Sequence, residues 1–581
     1  MKRYLTACLM PALLLAGTSP VAAQSLETSA LPIEITTPGH EDTDQLRLSL
    51  REAYRIALER NLDLQVGRYD LAAAEASIFE QTGIFDPNLR ASTGGDWARS
   101  PAATQLAGAK VTEARNTRFG LGLDWFLPSG TKLDVSVDAT RSETNSQFFY
   151  VNPRWQTGFN LSLQQSLLRG FGTLVNRAPI VIARNRRDQT SAQFAVTVIA
   201  TLRRVEEAYW DLVAARWAVR VREHSLTLAE RLLDETRERV KVGTSAPIDL
   251  VQSEATVAAR RQEVIAARNA ADNAEDALKA VLGFDEPDEW NVKLDTSEDL
   301  KATPLTTNLE DAIATALKQR PEIHQELLAL ATLRLNIQVA RNDTLPRLDL
   351  QARYGWGGLG GNVTLRDPDT GEIITVIPGG IDDAFRQIRD RDFPTWSVGL
   401  NFIMPLGNNQ ARARLAQQRY AFQKEETRLR ALQQQIIREV RVAVRALEDG
   451  AANMEAAHAA RIAAERNVEA EETKFKNGLT TNYQVTRIQD DLARAQLTEI
   501  QANVLYRKAV VGYLAATGTL LDREKVAIVD PGQPDVPHDF WRDVRWLQMS
   551  GPAHGNQRPE ENVPEVMTGS DPQLQETEES S

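Results

Sequence analysis

The strongest constraint on this chain is a stretch that it contains twice. Val240-Lys241-Val242-Gly243-Thr244 with Asp249-Leu250 downstream returns as Phe475-Lys476-Asn477-Gly478-Leu479-Thr480 with Gln484-Val485 downstream, an offset of 235. The same offset pairs Val205 with Val440, Ala208 with Ala443, Leu212 with Leu447 and Gly283 with Gly518, without an insertion. Each copy reads as a very long helix, a tight turn at the glycine, and a return helix ending at another glycine. A glycine after a helical run is the usual left-handed terminator. Pro247 then fits the first turn of the next helix. The chain is therefore organised around two helical hairpins.

Residues 1–23 read as a secretory signal. Lys2 and Arg3 precede the apolar run from Leu9 to Ala16, and Val21-Ala22-Ala23 precedes Gln24, which puts cleavage between Ala23 and Gln24. Removing Lys2 and Arg3 takes the formal charge from −12 to −14, so no basic tract remains for nucleic acid. The only cysteine, Cys8, precedes the apolar run where a lipoprotein box would follow it, so a lipid anchor is not expected. The cleaved chain has no cysteine and forms no disulfide. No later run reaches about 18 apolar residues, so any membrane crossing must use strands.

Taken in order, residues 24–47 are a loose polar arm and 48–283 a first repeat. Residues 284–307 form an acidic linker, 308–518 a second repeat, and 519–581 an acidic, largely disordered tail rich in Pro, Glu, Gln and Ser. Leu48 to Asn61 and Leu62 to about Gly83 are helical, with Leu50, Ala53, Ala57 and Leu58 on one face. Leu309, Ala312, Ala316 and Leu317 repeat that face at an offset of 259.

Between about residues 88 and 168 the period changes to two, with Phe119, Leu121, Leu123 and Trp125, then Leu133, Val135 and Val137, then Phe159, Leu161 and Leu163. A second such region spans about 346–406. Aromatic residues gather near the strand ends, among them Trp125, Phe126, Phe149, Tyr150 and Trp155. That pattern fits a sheet with lipid on one side and a wet lumen on the other. A soluble antiparallel sheet has the same alternation, and the pattern alone does not separate the two.

Length decides the architecture of the helices. Arg412 to Phe475 would form about 96 Å of straight helix, thicker than an ordinary domain. Its partner Thr481 to Thr517 gives about 55 Å, and Pro321 to Thr344 about 36 Å, which together match the long helix. Pro179 to Lys241 stands in the same relation to Ala246 to Leu282 plus Leu62 to Gly83. Each repeat therefore makes a column of constant height, with strands leaving one end and glycine turns closing the other. Columns with an apolar stripe must bury it against neighbours, and a cylinder of several copies does so.

These residues resemble the TolC family of outer-membrane efflux proteins, over about Leu48 to Leu520. The resemblance rests on the duplicated helix–strand–strand–helix order, on Val242-Gly243-Thr244 with Asp249-Leu250, on Gln165-Ser166-Leu167-Leu168-Arg169-Gly170-Phe171-Gly172, and on the Gly-Leu-Thr turn at Gly478. It implies a mainly α protein with membrane β structure. Helical hairpins of a homotrimer form a periplasmic α-barrel tunnel, joined to a transmembrane antiparallel β-barrel of twelve strands, four per subunit. It also implies an exit duct of a tripartite efflux or type I secretion system, with a periplasmic adaptor, an inner-membrane pump and outer-membrane lipid as partners. The tip formed by Val242, Gly243, Thr244, Gly478, Leu479 and Thr480 would dock the adaptor. Asp249, Gln484, Arg487, Asp490 and Asp491 would sit at the periplasmic gate, with Arg487 paired to one of the three aspartates of its own or the adjacent subunit. An ordinary solvated stripe on a coiled coil is the other reading of those five residues.

The sequence departs from the family at two places. Extra β material at Arg118 to Arg141 has the length of another hairpin. It can lengthen strands, lie outside the barrel, or raise the count to six; four strands are expected. The acidic residues often found after the second glycine are replaced by Gln484 and Arg487, which weakens any acidic ring.

Several motifs carry no chemistry. Gly355, Gly357 and Gly360 spell GxGxxG, but a dinucleotide site needs that motif to open a helix, and here an extracellular loop is expected from Asn362 to Gly371. His224, His324 and His458 lie on separate helices without metal-site spacing. Ser245 and Ser253 lack an activating partner. No enzyme activity, metal or cofactor is expected. The rival reading is an exported trimeric coiled-coil spacer or adhesin. It explains the helices, but not why strands interrupt each hairpin or why the unit occurs twice.

Overall fold

The computed structural model describes residues 45–102, 109–146, 148–296, 298, 300, 302–366 and 372–527. The signal segment with its Ala23–Gln24 boundary, the arm up to residue 44, the expected turn at 367–371 and the tail from 528 lie outside these residues.

The elements run β1 (Gln45–Leu48), α1 (Leu50–Arg60), α2 (Leu62–Thr82), β2 (Asn88–Pro101), β3 (Val111–Phe126), β4 (Thr131–Thr144), β5 (Val151–Ser166), α3 (Thr173–Asn176), α4 (Ala178–Lys241) and α5 (Pro247–Leu282). The second half follows as β6 (Lys293–Thr296), α6 (Leu309–Gln319), α7 (Pro321–Asp343), β7 (Arg347–Arg366), β8 (Ile373–Ile377), α8 (Ile381–Asp390), β9 (Phe393–Ile403), α9 (Asn409–Lys476), α10 (Asn482–Thr517) and α11 (Leu520–Glu524). Among the described residues no helix is long and apolar enough to cross a membrane.

The chain divides into two compact units. One contains residues up to Asn61, Arg204–Thr303 and Gly450–Lys508. Its core is set by the apolar stripe of α4, where Val205, Tyr209 and Leu212 step by four and three and are buried. Each such side chain contributes about 1.5–3 kcal/mol of burial. Tyr209 donates its hydroxyl to Leu48 O at 3.1 Å, and Tyr54 donates to Glu206, which fixes α1 on α4. The polar arm and the acidic linker are structured where they meet: β1 pairs in parallel with β6, Gln45 facing Lys293 and Leu48 facing Thr296. The expected loose arm therefore ends in a strand, and α1 begins after Ser49, whose hydroxyl accepts from Glu52 N as its cap.

The other unit contains Leu62–Arg203, Pro304–Asp449 and residues from Ala509. Ala312 and Ala316 of α6 pack with Ile323 of α7 and Ile436, Val440 and Val444 of α9. The helix-to-helix joints also repeat. Gly283 (φ +85°) lies where a Cβ would come 2.5 Å from Arg60 O, and Gly518 (φ +75°) where one would meet Arg320 N at 3.3 Å. Both the left-handed backbone and the close approach require glycine.

The second unit carries one antiparallel sheet in the order β2-β3-β4-β5-β7-β8, with β9 also on β7. Six of its strands are long, and with the short β8 the sheet of one chain has seven strands, against the four per chain expected in a barrel. The region around Arg118 to Arg141 is not a lengthened strand but parts of β3 and β4, paired from Ala114↔Thr144 to Phe126↔Lys132. Register puts like with like across the sheet. Leu89, Leu123, Val135, Leu161, Tyr354 and Trp396 lie in one hydrogen-bonded row, and Asn88, Asp124, Asp134, Ser162, Arg353 and Ser397 in the next. One face is thus apolar and the other polar, because the side-chain period is two. Among the described residues β2, β8 and β9 are unpaired on their outer edges, so within one chain the sheet is open.

The expected loop at Asn362-Val363-Thr364 is corrected as well. It belongs to β7, whose Val363 pairs with Ile377 of β8. The GxGxxG glycines lie inside this strand and open no helix. Gly358 and Gly360 let α8 lie directly against β7, since a Cβ at Gly358 would fall 2.0 Å from Ala384 O. Gln387 of α8 bonds Leu359 N and O at 2.8 and 3.0 Å, covering the β7 edge between β9 and β8.

Candidate functional site at the helical turns

The two glycine turns are built alike. At the first, Gly243 N donates to Val240 O (3.1 Å) and Thr244 N to Arg239 O (2.9 Å). At the second, Gly478 N donates to Phe475 O (3.0 Å) and Leu479 N to Lys474 O (2.9 Å). Both glycines are left-handed, with φ +78° and +71°, and nothing lies within 4 Å of where a Cβ would stand. Glycine is required at both turns by backbone conformation and not by crowding. Basic residues close each long helix, Arg239 and Lys241 on α4 and Lys474 and Lys476 on α9, as the negative helix end favours.

The turns are tied to each other. Arg239 donates through Nη2 to Phe475 O at 2.9 Å, and its guanidinium lies 4.0 Å from the Phe475 ring centroid. Phe475 is buried with Leu232 and Val485. Asn482 bonds Ser253 Oγ at 2.6 Å and Asp249 O at 3.4 Å, joining the starts of α10 and α5. Thr480 donates to Glu471 at 2.5 Å; this bond and the Lys474 ammonium hold the Glu471 carboxylate below its ordinary range. Against this fixed base, Val242 and Leu479 project with 74% and 77% exposure, and Ile248 and its repeat equivalent Tyr483 are exposed too. The turn pair is a rigid, partly apolar surface.

The expected gate residues fall on the first turns of the return helices. Asp249 accepts from Ala246 N at 3.2 Å and so caps α5. Gln484 lies in the first turn of α10, its N–H on Thr481 O. Asp490 pairs with Arg260 of α5, which also holds Glu263 at 2.8 Å, and Asp491 pairs with Arg494 at 2.5 Å. The pairing expected for Arg487 is not made within the chain. Among the described residues this exposed guanidinium has no ion-pair partner, because the nearby aspartates are engaged elsewhere. Sequence reasoning missed Arg239, Arg260, Phe475 and Asn482. Their partners lie about 230 residues away, and only the 235-residue repeat brings those positions together.

A family model described as "Outer membrane efflux protein" matches residues 132–284 and 312–519, the two repeats from β4 onward and from α6 onward. The chain belongs to the outer membrane efflux protein family. The outer membrane protein TolC of Escherichia coli (strain K12) is 22% identical over 455 residues, covering 78% of this chain and 83% of that one. The pyoverdine export outer membrane protein OpmQ of Pseudomonas putida is 25% identical over 322 residues, covering 53% and 61%. Among solved structures, the CmeC outer membrane channel of Campylobacter jejuni superposes with a TM-score of 0.58 at 15% identity, covering 81% of this chain and 85% of that one. VceC of Vibrio cholerae gives 0.56 at 14%, covering 81% and 96%. This efflux channel is an outer-membrane transport protein and not an enzyme. The fold is shared with these channels.

Proposed function

We propose that three copies of this efflux channel form the exit duct of a tripartite efflux or type I secretion system. The strands close into a barrel across the outer membrane, and the helical hairpins line a tunnel in the periplasm. Substrate passes from an inner-membrane pump and a periplasmic adaptor to the exterior without chemistry on the way. The domain order is a first repeat over 48–283 and a second over 308–518, joined through 284–307.

The observation that carries this reading is the pair of fixed turns. Val242, Gly243 and Thr244, with Gly478, Leu479 and Thr480, present exposed apolar and hydroxyl groups on a base locked by Arg239 and Phe475. A surface of that kind suits docking of an adaptor. Asp249, Gln484, Arg487, Asp490 and Asp491 then flank the entrance, with Arg487 free to meet an acidic group of another copy.

Gly243→Val is the test. A β-branched residue at φ +78° is strained, and nothing surrounds the site that would otherwise unfold. Export falls several-fold while the amount of assembled protein stays normal. Full export at normal protein level contradicts docking at this turn.

A further inference from the structure

We propose that β2 and β3 are full staves of the membrane barrel, so that three copies of six long strands close a barrel of eighteen, with β9 of one copy pairing β2 of a second copy. This rests on the reading of three copies above, and departs from the four strands per copy expected from the resemblance.

The case begins with the sheet itself. β2 pairs β3 through fourteen residues from Asn88↔Asp124 to Pro101↔Val111 with no bulge, and β3 pairs β4 with equal regularity. The hairpin is polarised like its neighbours. Leu89 and Ala91 continue the apolar row of Leu121 and Leu123, while Arg90, 3.5 Å from Asp124 and 3.4 Å from Asp134, continues the polar one. A hairpin lying wholly in water or wholly in lipid has no use for such a division. All six long strands also curve round one hollow of about 500 Å³ on the polar face, from Asn88 of β2 to Ser397 of β9. Detaching β2 and β3 would remove one wall of that hollow.

The occupant of the open edges follows from direction and pattern. Consecutive strands alternate in direction, so with six per copy β9 runs opposite to β2 and the junction between copies is antiparallel. Five or seven would force a parallel pair into an antiparallel barrel. Every residue of β2 and β9 is exposed in the single chain. Setting Asn88 of one copy opposite Ile403 of the next keeps the faces in order, with Leu89 beside Phe402 and Arg90 beside Asn401. That register offsets each copy by six residues from the hydrogen-bonded row that joins Asn88 to Ser397, which supplies the tilt that closure requires. Eighteen strands spaced at 4.8 Å and tilted by about 35° enclose a backbone diameter of about 34 Å, against about 22 Å for twelve.

Cryo-electron microscopy of the purified full chain in lipid nanodiscs tests this by counting strands in cross-section. Eighteen around a threefold axis is the expected result. A threefold barrel of twelve, with β2 and β3 outside it, overturns the proposal and leaves the duct reading intact. Particles without a closed barrel overturn both. A second measurement uses cysteine pairs, since the only natural thiol is Cys8. Arg90→Cys with Asn401→Cys on the same chain gives covalent dimers and trimers on oxidation, and neither single variant does. Cross-linking by Asp134→Cys with Asn401→Cys instead would make β4 the neighbour of β9 and overturn the proposal.

Discussion

Glu326 of α7 is largely enclosed, with Glu425 and Arg428 of α9 beside it and Arg186 of α4 lining the same hollow. Its Oε2 has no donor among the described residues, so a hydrogen bond to Glu425 needs a proton on one carboxyl. Burial first, then the Glu425 hydrogen bond and charge, push Glu326 up to about 7, against a smaller opposing pull from Arg428. The two carboxylates titrate as a pair. Because the folded pKa lies above the unfolded value, the folded state holds a proton that the unfolded chain has lost. The stability from that proton is complete below about pH 4.5 and is lost as pH rises through about 7. Glu326→Gln removes the term: its Tm in detergent exceeds the parent's at pH 8 and matches it at pH 4. An unchanged pH slope in the variant contradicts this account. At the turns, Arg487 is an exposed cation without an ion pair among the described residues. Arg487→Glu raises single-channel conductance, with the excess growing as salt is lowered and screening weakens. Equal conductance at low and high salt removes Arg487 from the gate.

Between elements, the ion pair of Lys279 and Glu275 on α5 holds the linker strand in place. Both are almost fully buried, at 2% and 4% exposure, and 3.0 Å apart. Lys279 also donates to Trp290 O at 2.7 Å, and Glu275 accepts from Leu294 N of β6 at 3.4 Å. The second repeat has the apolar residues Val510 and Leu514 at the equivalent positions. Removing one partner of a buried pair costs about 3–5 kcal/mol, while replacing both with apolar groups costs less. Glu275 is also held by Arg216 at 3.3 Å, whereas the buried Lys279 ammonium has Glu275 as its ion-pair partner. Glu275→Val therefore lowers Tm more than Glu275→Val with Lys279→Leu does, and the reverse order is the result that counts against a stranded ammonium. The same elements show where sequence reading stops. β1 and β6 are four residues each, about 250 positions apart, and neither is long enough for a period of two to emerge. β2 lies inside the region from about residue 88 read as period two, but its own alternation is faint. Only Leu89 and Trp97 are large and apolar among its fourteen residues, and the other positions on their face are small or polar. Arg90 and Asp96 on the opposite face further mask the alternation. α4, by contrast, was legible to within one residue at either end, since its stripe and its glycine stop are both local.

At the scale of the molecule, the duplication was legible because an exact offset of 235 survives in the helices, where an insertion would rotate the apolar stripe off its partner. The strand count was not legible, because insertion of a hairpin preserves alternation and leaves both flanking helices in register. The candidate site was legible in its glycines and exposed turn residues, which local conformation dictates. Its ties, Arg239 to Phe475 and Arg260 to Asp490, depend on packing between distant helices. In the proposed duct, strands of several copies enclose a water-filled path through the outer membrane. Ion conductance of the purified full chain in planar lipid bilayers measures it directly. The account predicts discrete, equal current steps on insertion of the detergent-purified protein. Folded protein that inserts and passes no current would contradict it.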